Sequence, residues 1–97
     1  MVPEGRIVGL DIGEVRIGVA VSDPLGLTAQ PREVIQVSTP DADAEAVRRI
    51  AEETGATAIV VGLPLDQHGE VGDQARKVLK VVEKLKDLLN MPVETQD

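Results

Sequence analysis

The sequence has no cysteine and no phenylalanine, tyrosine or tryptophan. Without cysteine there can be no disulfide frame, thiol nucleophile or cysteine-based zinc cluster. Without aromatic rings there is no platform of the kind on which single-strand binders stack bases. One histidine is present, His68. It cannot anchor a zinc site alone, and it sustains no Ser-His-Asp set. No apolar run approaches the ~20 residues that a membrane span needs. The N-terminal stretch Met1-Val2-Pro3-Glu4-Gly5-Arg6 has no apolar signal core, so a cytoplasmic location without a membrane partner is expected. Basic residues are few, 10 against 17 acids for a net charge of −7. That balance argues against generic, charge-driven nucleic-acid binding. The deficit is uneven. Residues 1–70 hold twelve acids and five bases, whereas residues 71–97 hold five of each, with four lysines between Lys77 and Lys86. A polyanion would meet a local basic strip rather than a basic protein.

What remains is ordinary globular chain: 97 residues, 42% hydrophobic and 28% charged. That is the length and composition of a single domain over residues 1–97, not of a disordered tail. Arg6 to Ile12 (RIVGLDI) is β-branched and apolar and predicts a buried strand. After a tight turn at Gly13-Glu14, Val15 to Ser22 alternates with period two. Val15, Ile17, Val19 and Val21 take one face; Arg16, Gly18, Ala20 and Ser22 take the other. A second strand, antiparallel to the first, is expected. A third extended stretch spans Thr28 to Val37, and Pro31 within it favours an edge position. Thr39-Pro40 reads as an N-cap followed by proline at the first helical position. Ala44, Val47, Ile50 and Ala51 form that helix's inner face, and Gly55 ends it. Thr57 to Gly62 predicts a short apolar strand covered on both faces. Asp73 to Asn90 predicts an amphipathic helix with a stripe of Ala75, Val78, Val82, Leu85 and Leu89, widened by Leu79 and Leu88. Pro92 to Gln96 starts one more strand. The order β-β-β-α-β-α-β implies an α/β fold with a mixed sheet and helices packed on it.

Asp11 is the strongest chemical signal. It lies inside the most apolar strand, where a buried bare carboxylate is costly unless paired, hydrogen-bonded or bound to a metal. Alternation puts it on one face with Ile7 and with Gly9, which leaves room beside it. The competing reading is that Asp11 caps the Gly13 turn. Gly9, Gly13 and Gly18 make no GxGxxG fingerprint, and no Walker lysine is present. These glycines suit tight turns or close backbone approach to a phosphate. Arg16 either grips a phosphate or forms a solvated salt bridge. Lys77, Lys80 and Lys84 share a helix face, which is either a solvated surface or a nucleic-acid strip. Asp23 and Asp66 sit in turns, where aspartate is common for backbone reasons, and His68 sits on a surface loop. Asp97 stands at the end of a predicted strand, where open α/β sheets place their ligand sites; it is also the last residue.

The string Ile7-Val8-Gly9-Leu10-Asp11-Ile12-Gly13, followed by Arg16-Ile17-Gly18-Val19-Ala20-Val21-Ser22-Asp23, resembles the opening hairpin of the YqgF/RuvX family. These are bacterial RNase H-like proteins regarded as pre-16S rRNA nucleases and related to Holliday-junction resolvases. Thr28-Ala29-Gln30-Pro31 is similar to that family's next segment, Ile59 to Leu65 (IVVGLPL) to its fourth strand, and Gly69-Glu70 to the following loop. The family's fifth strand leads into Asp-Glu-Arg-Leu followed by Ser or Thr. Here Gln96-Asp97 resembles the entry to that motif. A later helix carrying another acid has no counterpart in these residues, so the resemblance covers about the first two thirds of a family member. It implies an RNase H-like fold with strands one, four and five parallel and side by side. Their C-terminal ends would align Asp11, the Gly62-Leu63-Pro64 turn and Asp97 along one edge. At ~4.8 Å per strand, strands one and five are about 10 Å apart, a span that divalent ions and phosphate oxygens can bridge.

The implied activity is metal-assisted phosphodiester hydrolysis, with Asp11 and Asp97 as catalytic carboxylates and ligands of Mg²⁺ or Mn²⁺. Gly9, Gly13, Gly62 and Pro64 would shape the backbone of the site. Arg16, Lys77, Lys80 and Lys84 would hold the substrate: structured pre-rRNA, or branched DNA in the resolvase alternative. An incomplete ligand set implies that the 97 residues alone are inactive, which also keeps a non-catalytic binding module in view. Gly9-Leu10-Asp11-Ile12-Gly13 further resembles the first phosphate loop of actin-like ATPases and sugar kinases, which need a second such domain.

Overall fold

A computed structural model describes residues 5–23, 28–64, 68–69 and 72–96. Three strands come first: β1 (Arg6–Ile12), β2 (Arg16–Ser22) and β3 (Ala29–Gln36). Helix α1 (Pro40–Thr54), β4 (Ala56–Gly62), helix α2 (Asp73–Leu88) and β5 (Val93–Gln96) follow. The element order is the expected one, and the strands form one sheet in the order β3-β2-β1-β4-β5. β2 is antiparallel to both β1 and β3, whereas β4 is parallel to both β1 and β5. The three parallel strands therefore end along one edge.

Local chemistry accounts for most boundaries. The β1–β2 turn closes with the Gly13 N–H donating to the Arg16 carbonyl at 2.8 Å. A Cβ on Gly13 would stand 3.1 Å from that oxygen, so a side chain there would crowd the turn. Pro31 lies where the β2–β3 register shifts, on an edge strand, so its missing donor is tolerated. Thr39 caps α1 by accepting a hydrogen bond from the Ala42 N–H at 3.1 Å, with proline following it. Gly55 ends the helix in the left-handed region at φ 70°. Asp43, in the first turn, is buried, and its Oδ1 accepts from the Ser38 N–H at 2.9 Å. We expect Thr39→Ala to cost about 1 kcal/mol, read as a lower urea midpoint with unchanged slope.

Both helices pack on one side of the sheet. Val8, Leu10, Ile12, Ile17, Val19, Ile59, Val61 and Val93 meet Ala44, Val47, Ile50 and Ala51 of α1 and Val78, Val81, Val82 and Leu85 of α2. The stripe of α2 differs from the predicted one. Val81 is buried and Leu88 is 44% exposed, because residue 81 falls between 78 and 85 at the three-and-four spacing. α2 also stops at Leu88, and Leu89 is already extended. Neither β1 nor β4 is covered on both faces by the described residues. In β4, Ile59 and Val61 are buried, Ala58 and Val60 half-buried, and Gly62 exposed. On the solvent side of α1, Arg48 pairs with Glu45 and Glu52. The Arg48 hydrogen bond holds the Glu45 carboxyl below its ordinary range. The small stabilisation from this exposed pair is present above the unfolded carboxyl pKa and fades as pH falls through the lowered one.

Candidate active site

Because side chains alternate along a strand, burying Val8, Leu10 and Ile12 under the helices turns Ile7, Gly9 and Asp11 to the open side. The strand registers then assemble a row across all five strands. Val34 lies beside Gly18, Gly18 beside Asp11, Asp11 beside Gly62, and Gly62 beside Gln96. The central carboxylate is thus flanked by glycine on both neighbouring strands. In the next row Gly9 lies between Ala20 and Val60. Small residues leave a shallow recess of about 430 Å³ lined by Gly9, Asp11, Gly18, Ala20, Val60 and Gln96, among others. A second depression of about 330 Å³ lies over the sheet edge, lined by Asp11, Gly62, Leu63, Pro64 and Gln96. Asp11, Gly62 and Gln96 border both. The Leu63 N–H donates to the Gln96 carbonyl at 2.6 Å, which ties the end of β4 to the end of β5.

Asp11 itself is exposed. The expectation of a buried carboxylate is corrected, since it treated β1 as covered on both faces. Nor does Asp11 cap the Gly13 turn: the Arg16 carbonyl accepts that N–H. Among the described residues the Asp11 carboxylate has no hydrogen-bond or ion-pair partner. An exposed carboxylate without a protein partner is free to take a ligand, and the flanking glycines leave space for one. Arg16 is exposed on the same open face, opposite Gln36, and has no ion pair among the described residues. The solvated salt bridge considered for it is not formed with any described residue.

The other candidates divide. Gly62 and Pro64 border Asp11, and Gly9 sits one row away on the same face. Gly13 serves the hairpin turn. Asp97, Asp66 and Glu70 lie outside the described residues. Asp23 accepts from the Thr28 N–H at 3.2 Å and Oγ1 at 2.9 Å, a turn role. His68 is an exposed turn residue. The lysines are on α2, across the sheet from Asp11. Lys84 Nζ is 3.2 Å from Asp41 Oδ1, whereas Lys77 and Lys80 border a recess behind the end of β1.

No group of three or more His, Cys, Asp or Glu occurs among the described residues. Among the described residues the donors at the edge are one carboxylate, Asp11, and the amide of Gln96 two strands away. Magnesium commonly takes one or two carboxylates and completes its shell with water and substrate phosphate. An unpaired, exposed carboxylate between two glycines fits such a partly protein-built shell. Sequence reasoning placed the Gly62-Leu63-Pro64 turn at this edge, but not Gly18 beside Asp11 or Gln96 in the same row. Gly18 was misplaced because a turn at Gly13-Glu14 would set Asp11 opposite Arg16; the turn instead falls on Glu14 and Val15, which sets Asp11 opposite Gly18 and leaves Val15 exposed. Gln96 depended on the β4–β5 register, for which the sequence has no local signal.

Residues 5–97 match the family described as RuvX: Holliday junction resolvase. A protein of Desulforamulus reducens named "Putative pre-16S rRNA nuclease" is 46% identical over 92 residues, which are 95% of this chain and 67% of that protein. Among solved structures, Thermus thermophilus RuvC in complex with a Holliday junction substrate is similar at a TM-score of 0.66 and 18% identity, over 95% of this chain and 64% of that one. A ROK hexokinase from Thermus thermophilus is similar at a TM-score of 0.61 and 26% identity, over 94% of this chain and 34% of that one. The likeness to RuvC establishes the RNase H-like fold. The likeness to the kinase covers only 34% of that enzyme.

Proposed function

This chain belongs to the RuvX family, and on that footing we propose that it carries the metal-binding edge of an endonuclease that processes the 5′ end of pre-16S rRNA in the cytoplasm. The observation that carries the proposal is the placement of Asp11: exposed, unpartnered among the described residues, and set between Gly18 and Gly62 where β1 and β4 end. When bound, Mg²⁺ or Mn²⁺ would activate a water and stabilise the leaving oxygen. Asp11 would hold that ion, together with substrate phosphate. Gly18 and Gly62 keep the flanks bare, so that a phosphodiester reaches the carboxylate without meeting a side chain. Arg16, on the same face, holds a neighbouring phosphate by charge-assisted hydrogen bonds. The low basic content limits non-specific capture, so affinity rests on a few placed cations.

Mn²⁺ titration followed by amide NMR tests the site. Paramagnetic broadening should centre on Asp11, Gly62, Leu63 and Gln96 and disappear in Asp11→Asn. Broadening spread over the acidic surface, with Asp11 untouched, would sink the metal site. Branched DNA is the second reading, favoured by the family's description as a Holliday junction resolvase. Competition between a pre-16S rRNA fragment and a four-way DNA junction for the same protein separates the two. Preferential binding and cleavage of the junction would replace RNA as the substrate.

A further inference from the structure

The two most exposed large hydrophobic residues among the described ones, Val15 (61%) and Val34 (64%), are not scattered singly. Together with Arg16 and Gln36 they line one depression of about 350 Å³. Val15 comes from the hairpin turn, Arg16 from β2, and Val34 and Gln36 from β3. The Val37 N–H donates to the Val15 carbonyl at 2.8 Å, which ties the turn to the end of β3. All four side chains are exposed. Neither the Arg16 guanidinium nor the Gln36 amide has a partner among the described residues. No acid lines the depression. Glu14, beside Val15 in the chain, borders a recess on the helix side, and Glu33, beside Val34, pairs with Arg49 of α1. Arg16 is thus open to an anion in a chain of net charge −7.

The depression shares the open face with Asp11. Val34 lies in the Asp11 row, and Arg16, one strand over and two residues along, stands about 8 Å from Asp11 at the backbone. A polynucleotide with one phosphate on an ion at Asp11 therefore brings a neighbouring phosphate to Arg16. Arg16 and Gln36 face each other directly across the strands, which sets their Cβ atoms about 5 Å apart. That spacing matches the short step from a phosphate to its own ribose, not the longer one to a base edge. Two valines suit the C–H faces of a sugar, and a chain without aromatic rings has no platform for a stacked base. An amide both donates and accepts hydrogen bonds, as a 2′-hydroxyl does. We propose that this depression is a ribose subsite: Arg16 holds a phosphate beside the cleaved one, Val15 and Val34 carry its ribose, and the Gln36 amide hydrogen-bonds the 2′-hydroxyl. Gln36 then distinguishes RNA from DNA. The inference rests on the nuclease reading and adds to it the residue that selects the sugar.

The test is NMR titration of the 97-residue chain at low salt with a uridine tetranucleotide and its 2′-deoxyuridine counterpart, which differ only in the 2′-hydroxyl. The ribose form should shift the Val15, Arg16, Val34 and Gln36 amides and the Gln36 side-chain NH₂, and bind about fivefold more tightly. Gln36→Leu should remove the preference by weakening the ribose form alone. Arg16→Gln should weaken both forms about tenfold and keep the preference. Both positions are exposed, so neither substitution should disturb folding. If Gln36→Leu fails to fold, the comparison of the two oligonucleotides on the unaltered chain still decides. Equal affinities, tighter binding of the deoxy form, a preference that survives Gln36→Leu, or no saturable shift at these residues up to about 10 mM would overturn the proposal. Shifts confined to Lys77, Lys80 and Lys84 would do the same. Mn²⁺ titration of the same chain keeps the two readings apart. Metal binding at Asp11 without a ribose preference would remove the subsite and leave the metal site standing. A ribose preference without metal at Asp11 would count against the nuclease reading and not against the subsite.

Discussion

Asp11→Asn is expected to lower Mg²⁺- or Mn²⁺-dependent cleavage of a pre-16S rRNA fragment by at least about 10³-fold, roughly 4 kcal/mol of transition-state stabilisation. The assay suits a full-length family member carrying residues 1–97 of this chain, because the chain spans 67% of the Desulforamulus reducens relative. Asparagine keeps the shape of the side chain and removes the charge that holds the ion. Asp11 is exposed and has no partner among the described residues, so its replacement leaves the core untouched. Folding stability should change by no more than about 0.5 kcal/mol, and RNA binding measured without metal should persist. Cleavage that survives the substitution would remove the metal-carboxylate mechanism. A variant that unfolds would make Asp11 a structural residue. The same assay separates an enzyme, which loses turnover and keeps binding, from a binding module, which binds without cleaving both before and after the substitution.

Neighbouring positions in β4 should respond very differently to truncation. Ile59 has no exposed surface and packs in the core shared by the sheet and both helices. Ile59→Ala should cost about 2–5 kcal/mol, the transfer free energy of the lost methyl groups plus the cavity they leave. In a domain of this size that is a large share of total stability, about 5–15 kcal/mol. Val60, one residue on, points to the open side and lines the recess beside Asp11. Val60→Ala should cost less than about 1 kcal/mol, since little of its burial is lost. Urea denaturation of the two variants measures the contrast directly. Equal losses would mean that β4 is covered on both faces, as its composition alone suggests. The one-sided packing that leaves Asp11 accessible would then be wrong.

The hairpin, apart from a one-residue shift of its turn, the cap of α1 and the inner face of that helix were legible because each rests on neighbours in the chain. Period-two alternation from Val15 to Ser22 specifies a strand whatever it pairs with. Thr39, Pro40 and Gly55 mark helix ends through local hydrogen bonds and backbone freedom. Asp11 could be singled out for the same reason, as a carboxylate in an apolar run. Its environment could not be read, because an apolar strand looks alike whether one face or two are covered. The stripe of α2 was misjudged at Val81, which the spacing from Val78 to Leu85 already buries, and at Leu88, the last residue of a helix that ends two residues earlier than its amphipathic pattern suggested.

By itself the sequence determined the kinds and order of the elements, the turns that join them and the residue types available for chemistry. These follow from backbone sterics, side-chain periodicity and local hydrogen bonding, which act over a few residues. Only the tertiary structure decided that Gly18 and Gly62 flank Asp11, that Gln96 closes the row, and that Lys77 and Lys80 lie across the sheet from it. Those relations depend on strand order and register, and on which face the helices cover. They are set by the burial of apolar side chains contributed by segments far apart in the chain, which no local pattern records.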